Sequence, residues 1–498
     1  MLKISIPKTC LNEQHYILSI MLGEFLGLDF DVTEHNESFI KITDPSDKVS
    51  LTLNADFFQN SGQAWLQEKS MPVLPLQTWS PSGDGLHVNL IEESIPIIYG
   101  QAGLIKELNH WHLNLDIFGS AFFMLSRYEE LITQTRDKHD RFPATASIAF
   151  KANFLERPIV DEYLEILWAC MHQLWHELER KQRQAENFIT CDIDWPFNPS
   201  LYSVKTMIRT AGSALIKERL IRKTAKILFR YLFKKCGFGV EDDYREAINW
   251  IMEVNEKEGS EVSFYFITHF TSKFDSNLDF NSHELRSLLR EIHQRGHKVG
   301  LHPGYETFNN SDNFSKSVSE FKRILQEEGI EQSCYGGRQH FLLWNAAITP
   351  HLWEQHGFDY DSTLGFADKS GFRCGTGHEF TMYNLINRKR FKLKQRPLIS
   401  MECTVIEQRY EGLGYSNTAV ERFKYFKYDD LIARDKASLD LFWLKDDSLD
   451  NLDNLPPPDI LQQEIIDHLE AALNAFRDVA AGLPVSKNKV IKIAEDAI

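Results

Sequence analysis

The chain has little that would carry it into a membrane or an oxidising compartment. Its seven cysteines, at 10, 170, 191, 236, 334, 374 and 403, form no CxxC pair and fall at no regular spacing. An odd, unpatterned set argues against a disulfide framework and for a reducing compartment. Long apolar runs are missing as well. Near the start only the six-residue stretch from Ile17 to Leu22 is apolar, and Gly23 and Glu24 close it. A signal peptide needs a longer apolar region, and a spanning helix needs roughly 20 such residues. A cytoplasmic protein without a targeting segment is therefore expected. Positive charge is also short. Against 71 Asp and Glu stand 55 Lys and Arg, a formal charge of -16. Such a field repels nucleic acid and no recognition motif is present, so a nucleic-acid partner is not expected. There is no internal repeat and no low-complexity tract.

What remains is ordinary globular composition, 43% hydrophobic and 25% charged, over 498 residues. At about 100–200 residues per domain that length predicts two or three domains. Residues 1–182 mix strand-like runs (ISI, FIKIT, VSLTL, PIIYG) with helical segments and read as an α/β accessory domain. The spacing predicts one helix from about 116 to 132, DIFGSAFFMLSRYEELI. A second, long and amphipathic, is predicted over VDEYLEILWACMHQLWHELERKQRQ. From Phe188 the grammar changes. NFITCDIDW, VSFYFIT, HKVGLHPGYET, SCYGGRQHF, FDYDSTLGF and PLISMECTVI are short strand-like runs separated by helical stretches. Strands alternating with helices imply a parallel β/α sheet or barrel, here over 183–455. After the proline-rich LDNLPPPDI, residues 456–498 read as a helical segment.

An insertion at 201–238 interrupts the first β/α unit. It carries ten Lys and Arg and one acid, Glu218, with apolar residues at roughly helical spacing. Two readings stand: a solvated helix facing acidic protein surface, or peripheral contact with an anionic membrane.

Polar residues at strand C-termini are the usual site of chemistry in β/α folds. Asp192 and Asp194 are two apart, so in a strand both carboxylates meet one face. Close carboxylates need a cation or an arginine beside them. One could ligate an ion while the other takes a proton from water. His302 follows the strand HKVGL and precedes the Pro303-Gly304 turn; Glu306 would reach the same ion if that turn folded back. Arg338 offers a guanidinium to Asp192, and His340 a second imidazole.

FITCDIDW, VSFYFIT, GHKVGLHPGYE, GGRQHF and GFDYDSTLGFADKSGFRCGT resemble successive motifs of the polysaccharide deacetylases (carbohydrate esterase family 4), over about 186–450. DIFGSAFFMLSRYEE, RPIVDEY and MECTVIEQRYEGLGY extend the likeness to bacterial cytoplasmic members with an added N-terminal domain, a subgroup associated with surface-polysaccharide biosynthesis. The resemblance implies a distorted parallel (β/α) barrel. It implies Asp192 as base, Arg338 as the residue orienting it, and a divalent metal, zinc above others, on Asp194 and His302. Glu306 stands where the family has its second histidine, with His340 as the rival third ligand and as a catalytic imidazole. The expected activity is hydrolysis of an N-acetyl group on a sugar or glycan, with Trp195, Tyr305 and Phe341 available to stack on sugar rings. The family's acid histidine is replaced: the matching stretch is LFWLKDDS, with Leu444 and Lys445. Either His340 or His378 then serves as acid, or the step is slow, or the member is inactive. The alternative is a catalytically degenerate member acting as a carbohydrate-binding or assembly subunit.

Overall fold

Alternating burial already shows in the first strand, LKISIP, where Leu2, Ile4 and Ile6 are buried and Lys3 is exposed, as one face of a half-covered sheet requires. The computed structural model describes residues 1–182, 187–216 and 220–401. Residues Met1–Gly412 form one compact unit; a second, Leu413–Ile498, lies outside the described residues, as do Leu444, Lys445 and the expected helical segment 456–498.

The first part of the chain contributes strands β1 (Leu2–Pro7), β2 (Phe30–His35), β3 (Phe39–Thr43), β4 (Ser50–Asn54), β5 (Gln77–Trp79), β6 (Ile95–Ile97), β7 (Gly100–Glu107) and β8 (His110–Leu115). β5 and β6 pair with each other; the rest form a mixed sheet in the order β2-β1-β3-β4-β8-β7. Helix Ile117–Leu125 is buried along its whole length, and the Asp116 carboxylate caps it by accepting from Gly119 N at 2.7 Å. The expected single helix over 116–132 is broken. Arg127 takes a left-handed conformation (φ 56°), and a new helix, Tyr128–Ile132, starts after it. The side chain explains the break: Arg127 is 1% exposed and is held by Glu129, Glu130 and the Met124 carbonyl. Helix Ile159–Leu174 is shorter than expected: residues 175–182, part of the expected helix, are not helical, although Trp175 and Leu178 still pack against the core.

The second sheet joins β9 (Ile189–Ile193), β10 (Val262–Phe266), β11 (Lys298–Leu301), β12 (Gly336–Gly337), β13 (Tyr360–Asp361), β14 (Phe380–Asn384) and β15 (Lys389–Gln395). Its order is β14-β15-β13-β12-β11-β10-β9, parallel throughout except for β14 against β15. Successive strands lying side by side place their C-terminal ends along one rim. The barrel expected from the sequence is not closed among the described residues: the antiparallel β14 ends the run on one side, β9 on the other, and much of the PLISMECTVI stretch lies outside those residues. β12 is two glycines for a steric reason. A Cβ on Gly337 would stand 1.8 Å from the Leu301 carbonyl oxygen, and one on Gly336 would enter the Tyr360 ring at 2.4 Å.

Buried polar contacts tie helices of the N-terminal part to the later part of the chain. Tyr16 donates to the Thr381 carbonyl at 2.8 Å, Tyr383 to Glu13 at 2.6 Å, and Arg373 pairs with Glu130 at 2.7 Å. The basic insertion forms two helices, Val204–Ile216 and Ile221–Lys235. Among the described residues no helix is long and apolar enough to cross a membrane.

Candidate metal centre

The ends of β9, β11 and β12 bring Asp192, Asp194, His302, Arg338 and His340 to one rim. β9 carries Asp192 opposite Tyr265, and Asp194 follows the strand directly. His302 follows β11, its backbone N–H donating to the Phe266 carbonyl at 2.9 Å. Arg338 follows β12 and donates its backbone N–H to Leu301 O at 3.0 Å; His340 is anchored to Pro303 O at 3.3 Å.

Asp194, His302 and His340 each offer one ligand atom, and the three atoms lie within 4.8 Å of one another. Asp194 Oδ1 stands 3.8 Å from His302 Nε2 and 3.7 Å from His340 Nε2. Although the Asp194 side chain is about half exposed (48%), Oδ1 is buried and has no hydrogen-bond partner. A buried carboxylate oxygen left so is costly unless a cation completes it.

Both imidazoles are oriented from behind. His302 Nδ1 donates to the Arg338 carbonyl at 2.6 Å, which turns the Nε2 lone pair toward Asp194. Burial pushes the His302 pKa below the ordinary histidine value, more strongly than the carboxylates of Asp192 and Asp194 pull it up. A neutral imidazole is the form that ligates a metal. His340 Nδ1 bonds Asp275 Oδ1 at 2.8 Å, a carboxylate–histidine pair of the kind that supports metal ligands. Burial would raise the Asp275 pKa, but hydrogen bonds from His340, from the Thr271 side chain and backbone, and from Tyr305 N outweigh it and hold the carboxyl at about 2. Gly304 leaves room for this acid, since a Cβ there would stand 2.7 Å from Asp275 Oδ2. One carboxylate and two imidazoles make a mixed O/N donor set suited to a divalent ion such as zinc.

Glu306 does not join the group. Its turn, Tyr305–Thr307, is pinned with Tyr305 N on Asp275 and Thr307 Oγ1 on Gln339 Oε1, and the Glu306 side chain is exposed. The turn therefore does not fold back as the sequence reading required, and His340 occupies the third position.

Asp192 faces the same rim. Its Oδ1 accepts from Arg338 Nη1 at 2.9 Å, while Arg338 is fixed by Thr190 Oγ1 at 2.6 Å and by the Ser362 carbonyl and hydroxyl at 3.0 Å each. The guanidinium is 2% exposed and its Cζ lies 5.3 Å from the centre of the Tyr265 ring. Behind it, burial lifts the Asp361 carboxyl to about 7, against hydrogen bonds from Thr363.

Tyr305 and Phe341 sit together beside His340, with ring centroids 5.3 Å apart, and His139 from the N-terminal part joins them by bonding Tyr305 Oη at 2.9 Å. Phe341 has φ 60°, rare for a bulky residue, and Arg141 Nη1 donates to its carbonyl at 3.0 Å. Trp195 is separate from this cluster; it lines a cavity of about 500 Å³ with Phe197, Tyr202 and Leu285. His378 packs against Phe25, at 5.7 Å between rings, and is not among the residues gathered at the rim. Asp275, His139 and Arg141 were not singled out in the sequence. Asp275 lies in TSKFDSNLDF, which has no periodicity; its position just after a predicted strand was the only signal.

Residues 2–176 match the model of a family of unknown function, DUF7033. No curated protein matches the chain. Among solved structures, the chain is similar to one from Mycobacterium smegmatis provisionally described as a polysaccharide deacetylase, with 16% identity and a TM-score of 0.25. That match covers 42% of this chain and 57% of the other. A TM-score of 0.25 does not establish a common fold.

Proposed function

We propose that this protein is a metal-dependent hydrolase that removes an N-acetyl group from an aminosugar-containing carbohydrate, in surface-polysaccharide biosynthesis. The observation that carries this reading is the bare, buried Asp194 Oδ1 facing two imidazole nitrogens whose far sides are already committed. Asp194, His302 and His340 would hold the ion, with zinc the best match to the donors. Bound there, a divalent cation supplies Lewis-acid polarisation of an amide carbonyl and acidifies water.

The rest falls to the chain's own residues. Arg338 holds Asp192 in place, and the free carboxylate oxygen of Asp192 takes the proton of the attacking water. With leucine and lysine where the family has its acid histidine, the same carboxyl returns that proton to the leaving amine, so acetate and a free amine result. Tyr305 and Phe341 give a sugar ring an aromatic wall beside the acetyl site. In this reading residues 1–182 are an accessory domain, and 183–455 are a hydrolase domain whose sequential strands form the wall of a (β/α) barrel.

Stripping divalent ions with a chelator is expected to stop acetate release from N-acetylated aminosugar oligomers, and added zinc to restore it. Acetate release that persists in the stripped protein contradicts the reading. The alternative, a carbohydrate-binding subunit without turnover, rests on Leu444 and Lys445; it predicts sugar binding and no acetate release with zinc present.

A further inference from the structure

Helices Val204–Ile216 and Ile221–Lys235 pack on each other, and among their residues Met207, Ala211, Ala214 and Tyr231 are buried. Most of their remaining surface meets solvent, and much of it is apolar. On the second helix Ile221, Leu228, Phe229, Leu232 and Phe233 are exposed, Ile221 at 73% and Phe229 at 63%. Their positions, i, i+7, i+8, i+11 and i+12, lie on one face. Phe238 extends it, 5.2 Å from Phe233 between ring centroids, and Val204, Ile208, Leu215 and Ile216 of the first helix are exposed too. Arg222 stands within this face, and Lys226 and Lys235 flank it, all three exposed.

We propose that this hairpin docks the protein on an anionic lipid bilayer, its apolar face at the headgroup–acyl boundary and its lysines and arginines among the headgroups. Charge complementarity decides between occupants. The segment 201–238 has ten basic residues and one acid in a chain of net charge -16, so an anionic surface is attracted here and repelled by the chain as a whole. A second copy of the chain would set one basic hairpin against another across a two-fold contact. Nucleic acid would leave the phenylalanine and leucine side chains with nothing apolar to cover them. A bilayer satisfies both sets of residues. Thr206, in the first turn of Val204–Ile216, and Tyr202 just before it line the cavity that Trp195 shares.

The test is sedimentation of the full chain with vesicles of phosphatidylcholine alone or mixed equally with phosphatidylglycerol. Binding to the mixed vesicles, weakened by added salt, is expected, with far less binding to phosphatidylcholine. Phe229→Ser with Phe233→Ser, and separately Lys226→Glu with Lys235→Glu, should each lower vesicle binding roughly tenfold or more. These residues are solvent-exposed, so circular dichroism should be unchanged. Asp194→Ala should bind vesicles like the wild type, which separates this result from the fate of the hydrolase reading. Absence of vesicle binding, or binding that both double variants leave intact, overturns the proposal. So does a dimer in light scattering that the same substitutions dissolve, which would make a second copy the occupant.

Discussion

Glu130→Ala is expected to lower the unfolding free energy by about 3–5 kcal/mol, because it leaves buried guanidinium charge without its counter-ion. Glu130 accepts from Arg127 Nε at 2.8 Å and from Arg373 Nε and Nη2 at 2.9 and 2.7 Å. Both arginines are essentially buried, at 1% and 2% exposure. After the substitution Arg127 keeps Glu129, while Arg373 keeps the Gly365 carbonyl and the face of the Phe366 ring but no carboxylate among the described residues. The carboxyl's pKa points the same way. Burial would raise it, but Arg373 and Arg127 outweigh burial and hold it at about 2. An acid whose folded-state pKa is depressed adds stability that is present above its unfolded value, near 4.3, and is lost as pH falls toward 2. For a compact unit of about 400 residues, thermal unfolding at neutral pH should therefore show a Tm lower by roughly 3–6 °C. The gap between variant and wild type should narrow as pH falls from about 4.5 toward 2. A Tm within a degree or two of wild type would mean that Glu130 does not balance the two buried arginines as described.

On the proposed hydrolase reading, Asp192→Asn should leave the fold and the metal in place and cut acetate release by about two to four orders of magnitude. The amide oxygen can still accept from Arg338 Nη1, so the arginine keeps its place between Thr190 and Ser362. Asp192 is also outside the group of three that would grip the ion. What the substitution removes is the capacity to accept the water's proton. Steady-state rates on an N-acetylated oligomer check this, with kcat expected to fall and zinc content to stay level. A rate within a factor of ten of wild type would remove Asp192 from the role of base.

The parts of the site legible in the sequence were those written into strand ends. DID puts two carboxylates at the end of β9, and GGRQH puts a guanidinium and an imidazole after a strand that steric crowding restricts to glycine. The pairing of Arg338 with Asp192 needs more, because β10 and β11 lie between β9 and β12 and the sheet must curl to bring the two side chains together. Other features depend on tertiary contacts that no local pattern encodes. Asp275 becomes a partner of His340 only because the loop after β10 folds across the Pro303-Gly304 turn. Glu306 is displaced by that same contact, since the hydrogen bond from Tyr305 N to Asp275 fixes the turn with position 306 outward. The SRYEE segment looks like a solvated helix end, yet its arginine and glutamates are buried because Arg373, some 240 residues later, meets them. Burial of charge is settled by the distant partner.

Zinc titration of the full chain, with stoichiometry by elemental analysis, tests the metal centre most directly. One zinc per chain is expected for the wild type and for Glu306→Ala, and none for Asp194→Ala, His302→Ala or His340→Ala at concentrations that saturate the wild type. Asp275→Asn should weaken binding by about 10–100-fold while leaving the site able to fill. Full zinc binding by the His340→Ala protein, together with its loss in Glu306→Ala, would contradict the account.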